Sequence, residues 1–183
     1  LTNDDDLAAV QQAADAVYEA ISSLDTLNQI EQELADRKDD VPLTVHLAIK
    51  LAKSKRYLST IDQETNVSVV FAMYKEHNRI LHKSKHDHGE DFLLKKVSQL
   101  NWLFGDRSNF SWQLIAVDDG CPEGSGQIAA DIATQNGLED RVQVLFLEQA
   151  IQQNLPVTQP MTATSESQKG GSVQYGMLNA ANE

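Results

Sequence analysis

Three short apolar segments, separated by helix-like patterns, constrain the fold of this chain most strongly. They span 67–73, 112–117 and 141–147, and the first of them is rich in β-branched residues. Segments of this length and composition are typical of strands that are buried on both faces of a sheet. Apolar positions at helical spacing lie between them, in 92–104 and about 127–135. Since this order calls for right-handed parallel crossovers, we predict an α/β fold, a three-layer α/β/α sandwich with a mostly parallel sheet.

The amino-terminal part of the chain differs from the rest in pattern and charge. Apolar residues at steps of three and four predict a long amphipathic helix, and a second helix follows Pro42. We therefore expect an acidic extension of two helices over 1–62, followed by the α/β domain over 66–183. The apolar stripe can pack on its own domain, on a neighbouring helix or in a coiled coil. The extension is thus a candidate surface for a homo-oligomer.

Charge and composition exclude several classes of partner. The formal net charge of the 183 residues is -12, and residues 1–40 alone contribute -9. A nucleic-acid partner is not expected, because such proteins need a basic face. No apolar run reaches the roughly 18 residues that a transmembrane segment needs. The acidic start, 1–6, does not resemble a secretory signal, so a cytoplasmic location is expected.

The second predicted strand ends in an acidic, glycine-containing turn, Val117-Asp118-Asp119-Gly120. The carboxyl ends of strands are where open α/β sheets bind ligands. Two carboxylates at this position could bind a metal, accept hydrogen bonds from a base or sugar, or cap the turn. Cys121 follows as the single cysteine of the chain, which excludes an internal disulfide, and we interpret it as a small turn residue.

A second candidate site lies near the carboxyl end, where Lys169 precedes Gly170 and Gly171 at the start of a predicted helix. Backbone amides at a helix start favour an anion such as a diphosphate, and a lysine adds a positive charge. The spacing is not that of a P-loop.

Four histidines within twelve residues invite a metal interpretation: His77, His82, His86 and His88. They lie among lysines in a polar segment without a predicted helix or strand to fix their geometry. We therefore favour an exposed loop over a metal site.

The order of these features resembles the nucleotide-binding half of family 2 glycosyltransferases, which have the GT-A fold. The resemblance covers about 66–183. In that family the first strand ends in a Pro-x-Tyr-Asn-Glu type motif, which reads Ala72-Met73-Tyr74-Lys75-Glu76 here. Tyr74 and Glu76 match the motif, whereas Ala72 and Lys75 depart from it.

The resemblance implies a site for a nucleoside-diphosphate sugar. It implies that Tyr74 lies against the nucleobase, that Glu76 reaches the nucleoside and that the backbone near Ala72 frames the base. It further implies that Asp119 accepts the N–H of the base. The remaining residues that it implies are Val117 beside Asp119, Asp118 supporting the turn, and Lys169 facing the diphosphate.

Family 2 enzymes also carry an Asp-x-Asp motif for a divalent metal, Mg or Mn, and a catalytic base further along the chain. No Asp-x-Asp follows a predicted strand in this sequence. We therefore expect a chain that is truncated before that motif, with no catalytic or metal-binding residue of its own, and nucleotide recognition without turnover. Two alternatives stay open: a non-catalytic α/β module that assembles through its helices, and a nucleotidyltransferase, although Tyr74 to Arg79 lacks a glycine-rich phosphate loop.

Overall fold

A computed structural model describes residues 4–37, 40–159, 161–167 and 170–180. Lys169, a predicted diphosphate contact, lies outside the described residues. The chain divides into two compact units, Leu1–Gln63 and Glu64–Glu183. None of the helices in the described part of the chain has the length and apolar character needed to cross a membrane.

The first unit contains three helices, α1 (Asp4–Ala20), α2 (Leu24–Ala35) and α3 (Leu43–Leu58). The prediction of two helices was therefore wrong, because the expected long helix is interrupted at 21–23. Ser23 causes a new helix to begin there: its side chain accepts a hydrogen bond from Thr26 N at 3.2 Å. A serine in this cap position satisfies a backbone donor that the helix itself leaves unpaired.

The basic end of α3 is bound to the acidic helices of the same unit. Lys53 pairs with Glu31 of α2, and Lys55 Nζ lies 2.7 Å from Asp15 Oδ1 of α1. Small and medium apolar side chains fill the space between the three helices, with buried Val10, Ala14, Leu27, Ala48, Ile49 and Ala52. The basic residues of α3 thus pair with two acidic residues of the same unit, Asp15 and Glu31.

The second unit is built on a parallel sheet of three strands in the order β1-β2-β3. The strands are β1 (Thr65–Met73), β2 (Phe110–Asp118) and β3 (Val142–Phe146). The α/β class and the parallel sheet are therefore confirmed. The helices are α4 (Phe92–Phe104), α5 (Ser125–Gln135), α6 (Leu147–Gln152) and α7 (Gly170–Ala180).

The segment after β3 contains short helical elements. Two 3-10 turns, Pro156–Thr158 and Thr164–Glu166, lie between α6 and α7. Leu147, expected to end the third strand, instead begins α6. Its side chain is fully buried, and burial of this kind is available to a helix as well as to a strand, so the apolar run did not distinguish the two.

Helices cover both faces of the sheet. On one face, Phe92 of α4 packs edge-on against Phe71 at 5.9 Å between ring centroids, and the start of α5 bonds to Asp118. On the other face, α7 lies over β1 and β2. Its Gly176 allows this close approach, because a Cβ there would lie 2.4 Å from Val70 Cγ1. Successive side chains of a strand point to opposite faces of the sheet, so the neighbours Phe71 and Val70 contact different helices, α4 and α7.

Candidate functional site

The predicted site residues of β1 and β2 meet at the carboxyl edge of the sheet. Asp119 N donates a hydrogen bond to Met73 O at 3.0 Å, which continues the pairing of the two strands by one residue. The backbone therefore brings the segment that begins at Tyr74 next to the two carboxylates.

Asp118 supports the turn after β2. It is buried, with 6% of its surface exposed. Its Oδ1 accepts a hydrogen bond from Cys121 N at 2.9 Å, and its Oδ2 accepts one from Gly126 N at 2.7 Å. The residue before α5, Gly124, has no side chain to cap that helix. The Asp118 carboxylate accepts the hydrogen bond of the Gly126 N–H instead, which has no partner within the helix. Both oxygens are engaged in holding the loop.

Asp119 faces the opposite side of the sheet and bonds to α7. Its Oδ1 accepts a hydrogen bond from the hydroxyl of Ser172, which is fully buried. The Asp119 side chain itself is only partly buried. An ionised carboxylate at this position can only accept hydrogen bonds, and part of it is accessible to a ligand.

The segment after β1 carries an exposed aromatic ring and an ion-pair network. Tyr74 is 47% exposed, and Lys75 Nζ lies 5.5 Å from the centroid of its ring. Glu76 Oε2 accepts a hydrogen bond from Arg79 Nη1 at 2.9 Å, and Arg79 Nη2 bonds to Glu90 at the same distance. Glu76 is thus already paired, whereas the Tyr74 ring presents a surface on which a planar group can stack.

Cys121 and Ser125 join the two edge segments. Lys75 N donates to Cys121 Sγ at 3.2 Å, and Glu76 N donates to Ser125 Oγ at 3.0 Å. The two side chains lie 3.0 Å apart. Partial burial raises the pKa of the Cys121 thiol, but hydrogen bonds from Ser125 and from nearby amides outweigh it, so the pKa is lowered overall. Cys121 is therefore not only a small turn residue, because its sulfur accepts a hydrogen bond that fixes the backbone after Tyr74.

Two further predicted residues lie deeper in the sheet. Ala72 and Val117 are paired in register on adjacent strands. The Val117 side chain is fully buried, and a Cβ on Gly176 of α7 would lie 3.0 Å from its Cγ2. Only the backbone of Val117 could therefore contact a ligand.

The loop before α7 closes over the turn. Gly120 has a positive φ of 70°, and a Cβ there would lie 2.1 Å from Thr164 Oγ1. Ser167, from the same loop, accepts a hydrogen bond from Ser172 N at 3.1 Å. The described part of the loop thus contacts both the acidic turn and the start of α7.

The histidine segment has local contacts of its own. Ser84 N donates to His82 Nδ1 at 3.1 Å, and His88 N donates to His86 Nδ1 at the same distance. Among the described residues, no group of three or more His, Cys, Asp or Glu side chains could hold a metal ion.

Sequence reasoning missed three side chains at this edge: Ser125, Arg79 and Ser172. A signal was present for two of them. Ser125 lies four residues after Cys121, a spacing at which a turn and a helix start bring side chains together, and Arg79 lies three residues after Glu76. No local pattern connects Ser172 to Asp119, 53 residues away.

Comparisons of the chain with protein-family models, with curated proteins and with solved structures found no match.

Proposed function

We propose that Glu64–Glu183 is the nucleotide-binding part of a glycosyltransferase with a GT-A-type fold, which uses a nucleoside-diphosphate sugar as donor. The observation that carries the proposal is the hydrogen bond from Asp119 N to Met73 O. It places the Tyr74-Lys75-Glu76 segment beside Asp119 at one edge, as the resemblance to family 2 glycosyltransferases requires. The start of α7 reaches the same edge through Ser172.

The topology supports a ligand at this edge. The chain covers one face of the sheet with α4 and α5, then passes to the other face, where α7 lies over β1 and β2. In open α/β sheets, ligands bind outside the carboxyl ends of the strands. Tyr74 and Asp119 follow two of those strand ends.

Each residue then has a role that suits its chemistry. The exposed Tyr74 ring stacks on a nucleobase, and Asp119 accepts a hydrogen bond from a ring N–H of that base. Glu76 reaches the nucleoside from its pair with Arg79. Lys169 would bind the diphosphate, although it lies outside the described residues.

The divalent metal implied by the resemblance, Mg or Mn, does not fit the side chains of the described residues. They contain no cluster of three or more possible ligands. Asp118, the nearest carboxylate to Asp119 in sequence, is committed to two backbone amides. The proposal for this chain is therefore donor recognition, and no step of sugar transfer is assigned to its residues.

Calorimetric titration of the full chain with UDP, CDP, GDP and ADP tests the proposal. UDP and CDP are the informative pair, because uracil presents N3–H as a donor and cytosine presents N3 as an acceptor. A carboxylate that accepts from the base should favour UDP by roughly 10-fold or more, as expected for a hydrogen bond to a charged group.

The variant Asp119→Asn replaces one acceptor oxygen with a donor group and should lose the preference for UDP over CDP. Asp131→Asn is the matched control, since Asp131 is an exposed residue of α5. If none of the four nucleotides binds the protein, the proposed function is ruled out. An unchanged preference in Asp119→Asn would rule out the role of that residue.

A second candidate function is assembly through the helical unit. Three large apolar side chains of α3 are exposed, Leu43 at 64%, Tyr57 at 57% and Val45 at 41%. We propose self-association through this helix as the alternative. Sedimentation of the wild type over a wide concentration range should then show an oligomer, and the double variant Leu43→Glu/Tyr57→Glu should stay monomeric. A wild type that stays monomeric over this range would contradict self-association through α3.

A further inference from the structure

Lys75 has a backbone conformation that a lysine rarely adopts. Its φ of 57° lies in the left-handed region, which glycine and asparagine tolerate and most other residues avoid. Lys75 follows directly after Tyr74, the exposed ring at the carboxyl edge of the sheet. A disfavoured conformation of this kind persists only where neighbouring groups hold it, and such conformations cluster at binding sites.

Two side chains from the turn after β2 hold this conformation. Lys75 N donates to Cys121 Sγ at 3.2 Å, and the next amide, Glu76 N, donates to Ser125 Oγ at 3.0 Å. The two acceptor atoms lie 3.0 Å from each other. Successive N–H groups converge in turns that contain a left-handed residue, whereas they alternate in direction along a strand. The two hydrogen bonds therefore favour the left-handed conformation over an extended one.

The two acceptors are fixed in their own segment. Ser125 is fully buried at the first position of α5. Cys121 N donates to the buried Asp118 carboxylate, which also accepts from Gly126 N. The acceptors therefore act as a rigid support for the segment that they contact.

The segment that carries Tyr74 is anchored at both ends. Met73 and Ile80 are fully buried, and Ile80 N donates to Glu76 O at 2.9 Å. Between these anchors, the backbone conformation of Lys75 sets the directions in which Tyr74 and Glu76 leave the edge of the sheet.

We propose that Cys121 and Ser125 are positioning residues, which hold Lys75 in its left-handed conformation and thereby fix the Tyr74 ring before a ligand binds. This inference rests on the proposed function and assigns the preorganisation of that site to two side chains that act through the backbone. Without the two acceptors, Lys75 returns to an ordinary conformation in part of the molecules. The apparent affinity for the ligand then falls with the fraction that keeps the binding geometry.

Amide hydrogen exchange of the full chain without nucleotide tests the holding role. Cys121→Ala should speed the exchange of the Lys75 N–H by about 5-fold, as expected for the loss of one hydrogen bond. Ser125→Ala should have the same effect on the Glu76 N–H. The N–H of Leu114, which donates to Arg141 O within the sheet, should keep its wild-type rate in both variants. Unchanged exchange of Lys75 and Glu76 would overturn the proposal.

The effect on the ligand is measured with whichever of UDP, CDP, GDP and ADP binds the wild type most tightly. Cys121→Ala and Ser125→Ala should each weaken its binding by roughly 3- to 10-fold. Ser98→Ala is the control, since Ser98 is an exposed residue of α4 and its substitution should leave the affinity unchanged.

Lys75→Asn separates positioning from a general loss of stability. Because asparagine tolerates the left-handed conformation, Cys121→Ala should weaken binding by less than about 2-fold in the Lys75→Asn background. The loss is compared within each background, so other effects of replacing the lysine cancel. A general loss of stability would not depend on the residue at this position.

The outcomes separate the two proposals. If none of the nucleotides binds the wild type, the proposed function fails, and the effect of Lys75 on ligand binding fails with it. If nucleotides bind but the Cys121 and Ser125 variants keep the wild-type affinity, only the positioning role is overturned. The same holds if Cys121→Ala causes an equal loss in the wild-type and Lys75→Asn backgrounds.

Discussion

The N–H of Asp119 donates to the carbonyl oxygen of Met73 at 3.0 Å, one residue beyond the last strand residue of β2. This bond fixes the position of the acidic turn relative to the Tyr74 segment through the backbone alone. Side-chain substitutions at the edge can therefore change its chemistry while the two segments stay together, and this makes the site suitable for testing by single variants.

Asp118→Asn should destabilise the second unit. The substitution replaces one of two buried acceptor oxygens with an NH₂ group, which would face the N–H of Cys121 or Gly126. We expect the free energy of unfolding to fall by about 1–3 kcal/mol. Denaturant titration measures it, with Asp131→Asn as the exposed control. A loss no greater than that of the control would contradict the capping role.

Gly120→Ala should be more harmful than Gly124→Ala. Both glycines have a φ of 70°, but a Cβ on Gly120 would meet Thr164, whereas one on Gly124 meets nothing within 4 Å. The Gly124 variant thus reports the cost of the positive φ alone, about 1–2 kcal/mol. The Gly120 variant should lose roughly 1–3 kcal/mol more in thermal or denaturant unfolding. Equal losses would show that Thr164 moves away without cost.

The pair formed by Glu90 and Arg79 should make stability depend on pH in the acid range. The hydrogen bond from Arg79 lowers the pKa of Glu90 below its ordinary value. A carboxyl whose folded pKa is lowered stabilises the protein above its unfolded pKa, about 4.3, and the contribution is lost as the pH falls through the folded pKa.

The difference in unfolding free energy between wild type and Glu90→Gln should therefore be present at pH 6, shrink as the pH falls below about 4.3, and be lost below the folded pKa of Glu90. Glu139→Gln, an exposed position, serves as the control. A difference that stays constant down to the acid transition would show that the charge of Glu90 does not contribute.

Cys121 should react with alkylating agents at a lower pH than an ordinary cysteine. Its pKa is lowered because hydrogen bonds from Ser125 and nearby amides outweigh the effect of partial burial. The midpoint of the rate of iodoacetamide alkylation against pH should lie below about 8.5, and Ser125→Ala should move it upward. Ser98→Ala should not move it. If Ser125→Ala leaves the midpoint of the alkylation rate unchanged, the Ser125 hydroxyl is not a cause of the lowered pKa of Cys121.

The sequence predicted the elements of the second unit well because each leaves a local pattern. The apolar runs of β1 and β2 and the helical spacing in α4 and α5 need no distant information. The break between α1 and α2 was missed, because Ser23 interrupts a stripe that continues on both sides. Leu147 was misplaced because a short apolar run fits a buried strand and a buried helix equally.

The site was predictable only in part. Asp118 and Asp119 were found from their place at a strand end, but the different contacts of the two carboxylates come from tertiary packing. Asp118 bonds to the start of α5, eight residues on, whereas Asp119 bonds to Ser172, 53 residues on. A local sequence pattern cannot identify a hydrogen-bond partner at such a separation, so the contact of Asp119 with Ser172 is found only in the structure.

The opposed contacts of the two carboxylates also limit how β2 can change in length. Each residue of a strand faces the side opposite to its neighbour, so the positions between Trp112 and Asp118 are counted in pairs. An insertion of two residues would keep each carboxylate on its own face of the sheet. An insertion of one would turn Asp118 toward the face of α7 and Asp119 toward the face of α5, so the bonds of Asp118 to the loop and the bond of Asp119 to Ser172 would be lost in a single event.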